Sequence, residues 1–236
     1  MIILEHIDKK FGKFQALQDI QLTCKRGQCI ALIGPNGSGK TTLIKTILQM
    51  VMPDKGNIIF KGEKVNNQWE YRSKIGFMPQ MNRYPENMKI GELIEMMKDI
   101  RNMSSNLDEE LIQAFNLSSM FEKKMGTLSG GTKQKVGACL AFLFQPDLLI
   151  LDEPTAGLDP LSSEILLKKV AQEKAKGKTI IISSHILSDL DELVDDVIYM
   201  QDGKILFHTE IDELIFETSE TKLTKIISQK MGLVHV

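Results

Sequence analysis

Two short stretches of this chain carry residue types whose order could do chemistry. The first, Gly34-Pro35-Asn36-Gly37-Ser38-Gly39-Lys40-Thr41-Thr42, fits the pattern GxxxxGK[ST]. Glycines at those positions let the backbone curl until successive N–H groups point inward, and the positive end of a following helix adds to that field. Phosphate oxygens fill such a nest. Lys40 is placed to reach the β- and γ-phosphates of a nucleotide, the Thr41 hydroxyl to take one position on Mg²⁺, and Thr42 to support the α-phosphate. The second stretch, Leu148-Leu149-Ile150-Leu151-Asp152-Glu153-Pro154, is an apolar run ending in two carboxylates. Successive strand residues face opposite ways, so Asp152 can serve a metal while Glu153 serves an attacking water.

Both stretches need a parallel sheet to hold them. Residues 29–33 form a continuous apolar run before the loop, and residues 42–51 have helical apolar spacing after it: strand, loop, helix. Strands are also predicted at 2–7, 19–24, 57–60 and 75–78, with Gly12 and Arg26-Gly27 as breaks. From about 82 to 128 β-branched runs give way to Met, Leu, Glu and Lys, and helices are predicted over 90–101 and 108–117. Strand and helix then alternate: strand 148–151, helix 161–176, strand 179–183, helix 188–194. That alternation implies a largely parallel, buried sheet. Residues 197–200 and 205–207 read as a hairpin across an Asp202-Gly203 turn. From about Glu217 the chain reads as a polar tail with scattered apolar residues.

Composition narrows the field further. The chain has 236 residues, 29 Lys+Arg against 31 Asp+Glu and a net charge of −2, so the basic footprint of a dedicated nucleic-acid binder is missing. No run approaches the roughly 20 apolar residues that a membrane-spanning helix needs. The start, Met1-Ile2-Ile3-Leu4-Glu5-His6, lacks the basic and long apolar segments of a signal peptide. Cys24, Cys29 and Cys139 form no CxxC and have no clustered histidine, which suits packing in a reducing cytosol.

Between the two stretches lies Leu128-Ser129-Gly130-Gly131-Thr132. Taken in order with the phosphate loop and the acidic strand, it resembles the signature of ATP-binding cassette (ABC) ATPases, and the resemblance covers residues 2–214. The resemblance implies an α/β P-loop NTPase cassette: a mixed sheet core, an N-terminal antiparallel β subdomain and an inserted helical subdomain at about 82–145. The ATPase domain would occupy 1–216, with 217–236 a short C-terminal tail. It also implies roles for single residues. Gln80 matches the glutamine that touches Mg²⁺ and links nucleotide to the helical insert, and Asp159, in Ala156-Gly157-Leu158-Asp159, the loop that crosses to a partner subunit. His185 matches the switch histidine at the γ-phosphate, and Phe11 an aromatic stacked on adenine. Ser129, Gly130 and Gly131 would bind ATP held by a second copy, with Lys40, Gln80, Glu153 and His185 as the catalytic set and Thr41, Gln80 and Asp152 around the metal. Two positions depart from the family: Thr132 stands where Gln is commoner, and Phe11 where Tyr is commoner.

The cofactors implied are ATP and Mg²⁺. The partners implied are separate transmembrane permease subunits and a second copy of the chain, joined as a homodimer on ATP binding, with no direct nucleic acid. The place implied is the cytoplasmic face of the cell membrane, as a peripheral subunit. Pro154-Thr155-Ala156-Gly157-Leu158-Asp159-Pro160 and Ser183-Ser184-His185 resemble exporters, and residues 128–151 resemble ATPases of drug, copper-processing and gliding export, the NosF-like copper branch foremost. Importer ATPases, and soluble ABC ATPases acting on nucleic acid or ribosomes, are the alternatives.

Overall fold

The computed structural model describes residues 1–65, 69–184 and 186–234. The chain divides into two compact units, Met1–Tyr71 with Thr179–Val236, and Arg72–Lys178.

In the first unit, β1 (Ile2–Phe11) pairs antiparallel with β2 (Phe14–Cys24) and with β4 (Lys55–Phe60), and β5 (Glu63–Lys64) completes the order β2-β1-β4-β5. Ile2 and Leu4 point into the core as alternation requires. At His6 and Asp19, both with positive φ, the β1–β2 register slips, and alternation resumes one step later at Ile7. Beside this sheet in the same unit, β3 (Cys29–Ile33), β8 (Thr179–Ser183), β9 (Asp196–Gln201) and β10 (Lys204–Glu210) run in the order β10-β9-β3-β8. β3 is parallel to both β8 and β9, and every residue of β3 and β8 is buried, which explains their unbroken apolar runs. β10 returns antiparallel through Asp202 and Gly203, both left-handed, as the Asp-Gly hairpin signal demands. α1 (Lys40–Ile47) follows β3.

The second unit pairs β6 (Ile75–Met78) in parallel with β7 (Leu148–Asp152). Between them in sequence come α2 (Ile90–Arg101), α3 (Glu110–Ala114) and α4 (Gly130–Phe142), and α5 (Pro160–Ala175) comes after β7. α4 lies so close to β6 that a Cβ on Gly76 would stand 2.0 Å from the Ala141 carbonyl oxygen. A buried cation ties α5 to the start of α3: Lys169 Nζ lies 2.6 Å from Asp108, 2.7 Å from Glu110 and 3.2 Å from Glu173, with its side chain 1% exposed.

Three local expectations change. The helix expected over 108–117 is the single short α3 followed by a 3₁₀ turn, Leu117–Met120. The helix expected over 188–194 is a 3₁₀ turn, Leu187–Leu190. Leu190, Leu193 and Val194 are buried at helical spacing, but the Asp195 N–H already bonds the Cys29 carbonyl, so the chain must enter β9 before a helix can grow. The segment after Glu217 is more ordered than a polar tail. α6 (Ile211–Thr218) and α7 (Leu223–Val234) are helices, and Leu223, Ile226 and Ile227 form a buried stripe at i, i+3 and i+4. The Leu223 N–H, otherwise an orphan at the start of α7, donates to Asp191 Oδ1 at 2.8 Å.

Candidate functional site: a phosphate loop and a carboxylate turn

In the first unit the loop between β3 and α1 is shaped by glycine. Gly34, Gly37 and Gly39 have φ of 153°, 81° and 105°. Gly34 and Gly39 are also required by their neighbours, since an added Cβ would lie 2.1 Å from the Met200 carbonyl oxygen and 2.8 Å from that of Ala16. α1 begins at Lys40 with no side-chain cap and no acidic residue in its first turn, so its leading N–H groups face a site suited to an anion. Lys40 Nζ donates to the carbonyls of Gly34 at 2.7 Å and Pro35 at 3.1 Å, which lays its ammonium across the loop. Ser38 Oγ is buried with no hydrogen-bond partner, an orphan that phosphate oxygens bound in the loop would relieve. Pro35, Asn36, Gly37 and Thr41 are exposed and Thr42 is half-buried. Phe11 ends β1 half exposed, opposite the more exposed Phe14 across the hairpin, with Lys9 Nζ 5.5 Å from its ring centre.

The second unit carries the carboxylates. Asp152 ends β7 buried, and Glu153 follows in the left-handed region at φ 50°. Gln80 Nε2 donates to Glu153 Oε2 at 2.8 Å, so these two residues, 73 positions apart in sequence, meet. Ser129 is the N-cap of α4: its Oγ accepts from the Thr132 N–H at 3.2 Å and lies 2.9 Å from the Thr132 hydroxyl. The departure from Gln at position 132 thus places a hydroxyl against the signature serine. Gly130 is exposed, and Gly131 is held close to the following loop, where a Cβ would come within 2.7 Å of the Gly157 carbonyl oxygen. Asp159 caps α5. Its carboxylate accepts from the Ser162 N–H and hydroxyl at 2.9 and 2.7 Å and pairs with Lys135 at 3.0 Å. Those Ser162 bonds, then Lys135, hold its carboxyl well below the usual carboxylate range.

Within the first unit the structure therefore brings Lys40 onto Gly34 and Pro35, and within the second it brings Gln80 onto Glu153. His185 lies outside the described residues. Two side chains that sequence reasoning passed over stand out. Gln134 is buried in α4 and bonds toward the carbonyls of Glu153 and Pro154; Lys169 is the buried cation of α5. The available signal was a polar residue at helical spacing from residues that bury, Gln134 with Ala138 and Ala141 and Lys169 with Leu166 and Val170, and it names no partner.

A glycine-built phosphate loop between a buried parallel strand and a helix, with an acidic strand end and a serine-capped helix, defines a nucleotide-binding ATPase cassette. The profile of the family described as ABC transporter matches residues 17–156. The lantibiotic transport ATP-binding protein SrtF of Streptococcus pyogenes is 32% identical over 214 residues, covering 90% of this chain and 92% of that protein. The Nod factor export ATP-binding protein I of Burkholderia lata is 31% identical over 208 residues, 86% of this chain and 68% of that protein. A solved ATP-binding subunit of an ABC transporter superposes with a TM-score of 0.89 at 28% identity, covering 97% of this chain and 98% of that one. A dimeric cassette in a post-hydrolysis state with ADP and Pi shares the fold, with a TM-score of 0.80 at 24% identity over 89% and 98% of the two chains. This chain belongs to the ABC transporter family and is an ATP-binding ATPase cassette of it. Among the described residues no helix is long and apolar enough to cross a membrane.

Proposed function

We propose that this chain is the ATP-hydrolysing subunit of a membrane exporter, acting as a homodimer at the cytoplasmic face against permease subunits encoded separately. The direction of transport rests on relatives named for Nod factor export.

In this reading the N–H groups at the start of α1 and the Lys40 ammonium exchange their present environment for the β- and γ-phosphates of ATP. Phe11 stacks on adenine. Thr41 in the first unit, and Asp152 and Gln80 in the second, offer a hydroxyl, a carboxylate and an amide oxygen, hard oxygen donors of the kind Mg²⁺ takes. When bound, that ion neutralises charge on the β- and γ-phosphates. Glu153 orients the attacking water and takes its proton, with His185 at the γ-phosphate. The Ser129 hydroxyl and the N–H groups of Gly130 and Gly131 cap the γ-phosphate of ATP held by the second copy, so ATP joins the two subunits and its hydrolysis releases them.

The observation that carries this reading is the start of α4. Ser129 and Gly130 are exposed, and the Ser129 hydroxyl caps its own helix while keeping further acceptor and donor capacity. The test is Glu153→Gln. It is expected to keep ATP binding, lose about 10²- to 10⁴-fold in turnover and elute as an ATP-dependent dimer in size-exclusion chromatography. Near-normal hydrolysis would remove Glu153 from the base role. A monomer in saturating ATP and Mg²⁺ would remove the two-copy site.

A further inference from the structure

Glu153 is the one residue of the carboxylate turn whose backbone is strained: a side-chain-bearing residue at φ 50°, a conformation that persists only where neighbours over-determine it. Its neighbours can be named. The Ala156 N–H bonds the Glu153 carbonyl at 3.1 Å, closing the turn from within. From outside the turn, Gln134 Nε2 lies 3.4 Å from that carbonyl and 3.5 Å from the Pro154 carbonyl, a long bond shared between two acceptors. Gln134 is 4% exposed and sits on α4, five residues after the signature serine.

The other end of the same amide is also taken. Gln134 Oε1 accepts from Asn82 Nδ2 at 2.7 Å, and Asn82 Oδ1 accepts from the Tyr84 hydroxyl at 2.9 Å. Burial pushes the Tyr84 phenol up, so it stays a donor. Gly137, one turn along α4, is what lets Asn82 in: a Cβ there would stand 2.3 Å from Asn82 Oδ1. Two residues before Asn82, Gln80 holds the Glu153 carboxylate itself. The segment from Gln80 to Tyr84 therefore grips Glu153 twice, at the carboxylate through Gln80 and at the backbone through Asn82 and Gln134.

We propose that Gln134 is a positioning residue for hydrolysis. Its amide receives Asn82 and donates to the Glu153–Pro154 carbonyls, so that the setting of residues 80–84 and of the signature helix fixes where the Glu153 carboxylate stands. The proposal rests on Glu153 being the base. The amide suits the position because it accepts on one side and donates on the other, which neither a carboxylate nor a thioether of similar length can do. A carboxylate at 134 keeps the Asn82 bond and turns an acceptor toward two carbonyls; a thioether keeps the volume and loses both arms.

The experiment measures kcat, KM for ATP, nucleotide affinity and thermal midpoint for Gln134→Glu, Gln134→Met and Asn82→Ser, each alone and with Glu153→Gln. Expected is a fall in kcat of about 10- to 100-fold for the two Gln134 variants, with KM and affinity within about twofold of the parent. A smaller fall in the same direction is expected for Asn82→Ser. In the Glu153→Gln background the further loss should vanish, because a misplaced base matters only when there is a base. Parental kcat in Gln134→Glu overturns the proposal and leaves Glu153 untouched. A loss in kcat that multiplies with that of Glu153→Gln also overturns it, since the residue would then act on something other than Glu153. Normal turnover of Glu153→Gln alone overturns the Glu153 reading and this proposal with it. If Gln134→Met does not fold, Gln134→Glu and Asn82→Ser decide by the same criteria.

Discussion

The phosphate loop and the carboxylate turn both hold the chain in left-handed conformations, and they reach them by opposite means. In the loop, Gly34, Gly37 and Gly39 adopt positive φ at little steric cost, and the groups the loop offers to an anion are backbone N–H groups. In the turn, a glutamate takes φ 50° despite its side chain, and Gln80, Gln134 and Ala156 hold it. A site made of backbone can be written with glycine alone. A site made of a strained side chain needs partners recruited from distant segments, so it should be sensitive to changes far from the residue that reacts.

If the second unit is built on side chains, its largest loss should come from Lys169→Met, which strands Asp108, Glu110 and Glu173 without their buried cation. Breaking such a cluster from one side is expected to cost about 3–5 kcal/mol, read as a drop in the urea midpoint. The hydrogen bond from Lys169 holds the Glu110 carboxyl below its ordinary value. That contribution is present above the ordinary carboxylate pKa and is lost as pH falls through the lowered one, so the gap between variant and parent should narrow in acid. An unchanged midpoint at pH 7 would mean the unit does not depend on this cluster.

The loop is probed by Gly34→Ala, whose methyl would collide with the Met200 carbonyl. A displaced loop is expected to lose on the order of 10²-fold in turnover, with nucleotide affinity falling too. That joint loss distinguishes it from the Gln134 variants, where kcat falls alone. Wild-type nucleotide binding in Gly34→Ala would break the contrast between the two regions.

A smaller effect is expected from Ser129→Ala. Losing the cap on α4 should cost about 1 kcal/mol of stability. ATP-driven dimerisation should weaken by more than that loss implies, which separates the cap from the proposed role toward a second copy. The smallest effect concerns the thiols. Burial pushes Cys24 up to about 12 and Cys139 higher still, so at pH 8 the native protein should resist iodoacetamide at both. Rapid labelling would show the cores opening.

The loop was readable because the features that mark it are local: glycines where φ turns positive, lysine at the helix start, an apolar run before and an amphipathic one after; that Gly34 and Gly39 must also clear the Met200 and Ala16 carbonyls was not. Asp152 and Glu153 were readable for the same reason, as the end of a buried strand. Gln134 was not. Its partners are 52 and 19 positions away, and nothing within α4 says that Asn82 will reach it. Residues 188–194 and the segment after Glu217 were misread for a related reason. Apolar spacing suggested a helix where β9 had to begin, and thin apolar content suggested a tail where three buried residues were enough to seat α7.

What the sequence by itself determined is the chemistry available and the local backbone that presents it, because glycine freedom, strand burial and helix capping act over a few residues. What only the tertiary structure decided is which polar side chains hold one another. A hydrogen bond between Gln80 and Glu153, or a buried lysine among three carboxylates, exists only once distant segments are folded to within about 3 Å, and no pattern along the chain encodes that distance.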